Sequence, residues 1–160
     1  MQDFNNKIAV ITGGGSGIGR ALAQALSAQG CHVAICDLSA ENMQQTQALC
    51  EQNMPAGIRL SHHLCDVSDA TAVAAFAAEV QQQHNSKHVN LVFNNAGVSG
   101  GGSFIKSDAA EWQKTFDICW GGVYNGSRAF LPLLIASDEG HLVNVSSING
   151  TWASMGPHIP

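Results

Sequence analysis

Basic side chains are scarce in this sequence. Lys and Arg total seven among 160 residues against twelve Asp and Glu, a net charge of −5 with histidines neutral. The seven cations stand singly, so no basic stripe exists to neutralise a phosphate backbone. Nucleic acid and anionic membrane surfaces are therefore not expected as partners. Long apolar runs are missing too: none approaches the roughly 20 residues of a membrane span. The opening MQDFNNKIAV has no charged lead followed by a long apolar stretch, so a cytoplasmic location is expected. Five cysteines (Cys31, Cys36, Cys50, Cys65, Cys119) form no CxxC pair, and an odd number cannot close entirely into intrachain disulfides. They read as reduced thiols. His84 and His88, four residues apart, could share a metal on a helix, but no Cys or carboxylate stands close by in sequence; His62 and His63 are read the same way. No metal site is expected. Tyrosine is nearly absent, Tyr124 being the single one.

What is present is an apolar, glycine-rich chain: 45% hydrophobic residues, 12% charged residues and 17 glycines. That mixture and length suit one domain over residues 1–160 with a buried core. Apolar β-branched runs alternate with helix-period stretches. KIAVIT (7–12) predicts a buried strand, and Ile18, Leu22, Ala25 and Leu26 a helix stopping near Gly30. HVAICD (32–37) predicts the second strand. Ser39 is placed as the cap of a helix presenting Met43, Thr46 and Cys50. A third strand lies within 58–67, followed by a helix capped by Ser68 with Val73, Phe76, Ala77 and Val80 on one face. The fourth strand is VNLVFNNAG (89–97). Asp108 with Glu111 opens a long helix carrying Trp112, Phe116, Cys119 and Val123 toward Leu131 and Pro132, and HLVNVSS (141–147) is the fifth strand. Strands without polar alternation, separated by helices, predict the α/β class: a doubly wound parallel sheet covered on both faces. Ligands bind such sheets beyond the carboxyl ends of the strands, where strand order reverses.

Those strand ends carry the informative residues. The first turn reads TGGGSGIG (12–19). Gly13, Gly17 and Gly19 permit a tight turn, a close backbone approach to a pyrophosphate and close helix packing, and the helix start offers unpaired N–H groups to an anion. A packed turn without a ligand is the alternative. A P-loop is excluded, because Arg20 and Ala21 stand where Lys and Ser or Thr are required. Asp37 closes the second strand about where a dinucleotide fold places its ribose-binding acid. A carboxylate there accepts sugar hydroxyls and repels a 2′-phosphate, and neither Ser16 nor Leu38 supplies a cation, which favours NAD over NADP. A solvated loop acid is the alternative for Asp37.

Together TGGGSGIG, Asp37, the CDV of 65–67, the NNAG of 94–97 and the NVSS of 144–147 resemble the classical short-chain dehydrogenases/reductases, from about Lys7 to the last residue. The resemblance implies a Rossmann fold, here its first five strands, and hydride transfer between a nicotinamide cofactor and an alcohol or carbonyl. Gly13, Ser16, Gly17, Ile18 and Gly19 would line the pyrophosphate and Asp37 the adenosine ribose. Asp66 and Val67 would flank the adenine, while Asn94, Ala96 and Gly97 would support the central sheet and the cofactor side of the pocket. Ser147 matches the family's catalytic serine, with Ser146 as the alternative register. A homodimer or homotetramer is also implied, with Trp112, Phe116, Trp120 and Phe130 fitting either an interface or a core.

Two departures stand against these matches. Cys119 falls where the family has a catalytic asparagine, and a thiol replaces an amide poorly as a hydrogen-bonding group. On an apolar helix face its pKa would rise, which disfavours a nucleophilic role. The family's tyrosine base, with a lysine four residues on, should fall at about Pro160 or beyond it. Tyr124 precedes the fifth strand and, despite the Arg128 that follows it, reads as ordinary packing. The expectation is a chain truncated at its C-terminus that binds cofactor weakly and does not turn over alone. VSGGGS (98–103) suggests a mobile rim beside the nicotinamide. The competing functions are a catalytically inactive dinucleotide-binding or interaction module, and a methyltransferase-like site for which NNAG and NVSS would be coincidences.

Overall fold

The computed structural model describes residues 1, 3–100 and 105–147. Strands β1 (Ile8–Thr12), β2 (His32–Asp37), β3 (Leu60–Leu64), β4 (Leu91–Asn94) and β5 (His141–Asn144) form one parallel sheet in the order β3-β2-β1-β4-β5. Helices α1 (Gly17–Ala28), α2 (Ala40–Glu51), α3 (Ala70–His84), α4 (Ala109–Phe116) and α5 (Gly122–Ile135) make the crossovers. Strand order reverses at β1: the chain builds outward to β2 and β3, then returns to β4 on the other side. The doubly wound fold expected from the sequence is the one formed.

Pleating sorts the central strand between two cores. Ile8 and Val10 face a cluster with Val73, Phe76 and Val80 of α3 and Phe130 and Leu134 of α5, where the Phe76 and Phe130 rings meet edge to face at 5.3 Å. Ala9 and Ile11 face Ala23 and Leu26 of α1 and Met43 and Cys50 of α2. All five residues of β1 are buried, which is why this strand shows no polar alternation. β5 forms one sheet edge, and all four of its residues are exposed.

Helix ends follow the sequence with one correction. The Ser39 side chain accepts the Asn42 N–H, as expected, and Gly30 takes a positive φ of 80° just past α1. The α3 cap is Asp69, not Ser68: its Oδ1 accepts the N–H groups of Thr71 (2.8 Å) and Ala72 (3.3 Å). A carboxylate serves both amides and complements the positive helix end, whereas Ser68 is turned to Asp66 by two hydrogen bonds. The expected long fourth helix is interrupted by a π-helical turn, Asp117–Gly121, that holds Cys119. The helix resumes as α5 and accommodates Pro132 in its last turn.

A polar chain, buried except at Glu79, ties β3 to α3. Glu79 Oε2 lies 2.7 Å from His63 Nδ1, and a carboxylate only accepts, so the His63 proton sits on Nδ1. A neutral His63 ring accepts through Nε2 from the Ser61 hydroxyl at 2.9 Å. Ser61 Oγ in turn accepts from His84 Nε2–H at 2.9 Å, leaving His84 Nδ1 as a buried lone pair without a partner. This histidine is structural, and His88 does not join it in a ligand set.

Burial pushes the His84 imidazole down from its ordinary 6.5 to about 4, with the charge of Arg59 and the neighbouring His32 and His63 adding to the effect. The unfolded chain takes up this proton before the folded one does, so its contribution to stability is whole above pH 6.5 and is lost as pH falls toward 4. His84→Gln keeps a donor toward Ser61 and cannot titrate. Thermal melts across this window should fall less steeply with acid for the variant than for the parent; parallel curves would refute the assignment.

Candidate functional site

The carboxyl ends of β1, β2 and β4, with the segment after β3, surround a cleft of about 380 Å³. Its floor is the glycine turn. Gly13 adopts φ +67° and lies so close to the fourth-strand turn that an added Cβ would stand 2.9 Å from Ala96 Cα. Gly17 adopts φ +50° with open space where a side chain would be, and a Cβ on Gly19 would strike the Gly13 carbonyl oxygen. Helix α1 starts here. Its N-cap Ser16 is extended and makes no side-chain cap hydrogen bond, and no acid stands in the first turn. The first N–H groups of α1 therefore open on the cleft without a protein acceptor from the cap, the condition that attracts an anion.

Asp37 closes the cleft on the β2 side. Its Oδ2 accepts from Gly15 N–H at 2.9 Å and its Oδ1 from Ser39 N–H at 3.1 Å. Both oxygens are thus fixed while retaining lone pairs for further donors. The nearby cation is already engaged: Arg20 donates to Thr46 Oγ1 (3.0 Å), to the Asn42 carbonyl (3.3 Å) and to the Gly15 carbonyl. Arg20 does not line the cleft, and the charged lining residues are Asp37 and Asp66.

Thr12 joins β1 to β4. Its Oγ1 accepts the N–H groups of Asn95 and Ala96, both at 2.9 Å, and donates to the Phe93 carbonyl at 3.4 Å. Asn95 Nδ2 donates back to the Thr12 carbonyl at 2.9 Å. Asn94 points the other way, donating to Ser127 Oγ (3.2 Å) and Asn144 Oδ1 (2.8 Å), and so braces the sheet against α5 without lining the cleft.

Most of the sequence-predicted site assembles here: Gly13, Ser16, Gly17, Ile18, Asp37, Asp66, Val67, Ala96 and Gly97 all line the cleft. Gly19 supports it from beneath. Ser147, three residues past β5, is exposed and is not a lining residue, as is Ser146. Residues 148–160, which include the Pro160 position near which the tyrosine base is expected, and 101–104 of the glycine-rich rim lie outside the described residues. Sequence reasoning placed Thr12 among the informative strand ends without its joining role, and missed Asn95 and Ile118. Asn95 was legible within NNAG; Ile118 depends on the π turn.

Cys119 is exposed, not on a buried apolar face, and its Sγ pairs with the Val98 backbone at 3.4 Å to O and 3.5 Å to N. Tyr124 is half exposed and stacked on Trp120 at 5.7 Å, and with Arg128 it lines a separate groove on α5. Phe130 belongs to the core, whereas Phe116 and Trp120 are exposed. Among the described residues no group of three metal-ligating side chains converges, and no helix is long and apolar enough to cross a membrane.

Sheet order, glycine turn and acid-tipped β2 together define a doubly wound α/β protein of the Rossmann type. The sequence matches the short chain dehydrogenase family over residues 7–157, and the chain belongs to that family. It is 39% identical over 156 residues to the putative oxidoreductase SadH of Mycobacterium tuberculosis, covering 98% of this chain and 55% of that one. A short chain dehydrogenase/reductase from Burkholderia phymatum, solved in complex with NAD, superposes with a TM-score of 0.87 at 34% identity, covering 96% of this chain and 53% of that one. A metagenomic short-chain oxidoreductase in complex with NADP gives 0.84 at 32% identity, covering 94% and 66%. The chain spans about half the length of the curated relatives it matches.

The Thr12 hydroxyl is the joint between the two halves of the cleft. Thr12→Val keeps shape and removes the acceptor, leaving the Asn95 and Ala96 N–H groups unpaired at a cost of about 1–3 kcal/mol each. Urea unfolding should show a lower midpoint with unchanged slope; an unchanged midpoint would show that the joint does not stabilise the fold.

Proposed function

We propose that this chain is the dinucleotide-binding Rossmann domain, spanning residues 1–160, of an NAD-dependent oxidoreductase that moves a hydride between nicotinamide and an alcohol or carbonyl substrate. The observation that carries the reading is the Asp37 carboxylate, held at the cleft by Gly15 and Ser39 amides beside the uncapped start of α1. The residues suit the group: Gly13, Ser16, Gly17 and Ile18 would hold the pyrophosphate against α1, with Gly19 keeping the turn tight. Asp37 would accept the adenosine ribose hydroxyls, and Asp66 and Val67 would border the adenine. Ala96 and Gly97 would face the nicotinamide half, with Asn94 bracing the sheet behind them. The nicotinamide supplies or takes the hydride when bound.

NAD is preferred over NADP in this reading. A 2′-phosphate would bring two negative charges toward Asp37, and the Arg20 guanidinium that could offset them is turned to neutral acceptors away from the cleft. Ser147 would polarise the substrate oxygen. Cys119, at the family's asparagine position, is paired to the Val98 backbone and would leave that position without an amide. The relatives' names as oxidoreductases and dehydrogenases weigh against the inactive-module alternative. A cytoplasmic setting and a homodimer or homotetramer belong to the same proposal, supported respectively by five free cysteines and by the exposed Phe116 and Trp120.

Calorimetric titration tests it. NAD should bind more tightly than NADP, and Asp37→Ala should weaken NAD by roughly 10- to 100-fold, the value of one or two hydrogen bonds to a charged acceptor. The same variant should narrow the gap to NADP. Equal affinity for both nucleotides in the parent chain would refute the role given to Asp37.

A further inference from the structure

Two thiols in the cleft wall have no part in holding a nucleotide. Cys36 is the penultimate residue of β2 and Cys65 follows β3 directly. Cys36 pairs in register with His63, and Cys65 lies two residues beyond His63, on the same side of the pleat. The Cys65 N–H donates to the Asp37 carbonyl at 3.2 Å, which binds its backbone to the end of β2. Both side chains enter one apolar cluster with Val10, Val67 and Phe76, and both line the cleft next to Asp37 and Asp66. The other thiols are placed differently. Cys31 and Cys50 lie in the core on the opposite sheet face, and Cys119 is exposed on the π turn.

We propose that Cys36 and Cys65 form a paired-thiol modification site in the cleft wall, where a hydroperoxide is reduced and the two cysteines are joined as a disulfide. Strand register, pleat and the shared cluster put the two thiols on one face of neighbouring strands at the same end of the cleft. The Cys36 S–H lowers the Cys65 thiol against the effect of its burial, while the same contact and burial raise Cys36. Cys65, just past the end of β3 and the less buried of the two (5% exposed against 0%), is the attacking sulfur, and Cys36, inside β2, the resolving one. The Cys65 thiolate attacks the peroxide oxygen, the O–O bond breaks, and the departing alkoxide or hydroxide takes up a proton, leaving a sulfenic acid on Cys65. Cys36 then loses its proton, attacks the Cys65 sulfur and expels hydroxide, which leaves as water. Two thiols are oxidised by two electrons, and one peroxide is reduced to an alcohol, or water, plus water. A bound adenosine would cover this wall, so occupancy would shield the pair; that shielding rests on the nucleotide reading above, and the pairing does not.

The chain carrying Cys119→Ser, which removes the exposed competitor, is treated with hydrogen peroxide and digested without reductant. The expected result is loss of two hydrogens from the intact mass, loss of both free thiols, and a peptide joining Cys36 to Cys65. Cys36→Ser, or Cys36→Ala if serine is not tolerated in the core, should accumulate a dimedone adduct on Cys65. Two thiols that stay reduced, or a lasting dimedone adduct on Cys65 while Cys36 is present, would overturn the proposal. Repeating the oxidation with NAD at saturation, established by calorimetry, separates the two readings. A slowed cross-link supports both, and an unchanged rate upholds the thiol pair and overturns the nucleotide reading of the cleft.

Discussion

The cleft depends on one hydroxyl. Parallel strands that diverge from a central β1 leave a crevice at their carboxyl ends, but a crevice between two separately built halves has no fixed width. Thr12 sets it by accepting two amides of the β4 turn from the last residue of β1. Because Gly13 follows at once and packs on Ala96, the glycine turn and the NNAG turn share one backbone position. Placement of the α1 start then follows from the sheet and owes nothing to a flexible loop. That is how a surface turn acquires the precision an anion site requires.

Electrostatics gives the cleft its second property. In a protein short of cations, the positive potential here comes from backbone amides at a helix start, and the negative from Asp37 and Asp66. Arg20 could have supplied charge, yet its guanidinium is used to fasten the glycine turn to α2 through carbonyls and a hydroxyl. One residue thus shapes the turn and stays out of the pocket. An anion and a polyhydroxyl group can be held side by side in such a wall, with Cys36 and Cys65 beside the two acids.

Much of this was legible in the sequence, for identifiable reasons. β2 spans the expected residues because an unbroken apolar run with turn residues on each side leaves its ends little latitude. Gly13, Gly17 and Asp37 were legible because backbone conformation and charge at fixed spacing restrict residue choice. The α3 cap was misassigned to Ser68 because two good capping residues stand together, and only the competing contact with Asp66 decides between them. The π turn was not legible: the stripe through Trp112, Phe116, Cys119 and Val123 assumes an unbroken helical period, and the wider turn shifts that phase, bringing Ile118 to the cleft and leaving Phe116 and Cys119 exposed. The Glu79–His63–Ser61–His84 chain could not be read either: strand and helix must first be folded for a surface-looking HH pair to become half buried.

The central claim is that the α1 start and Asp37 form one binding surface for a dinucleotide with an unphosphorylated ribose. Its most direct measurement is a titration of the isotope-labelled chain with NAD, following backbone amide resonances. The account predicts saturable shifts at residues 13–19 and at Asp37 and Leu38, with little change on α5. Shifts confined to the α5 groove, or none at the glycine turn once NAD is bound, would contradict it.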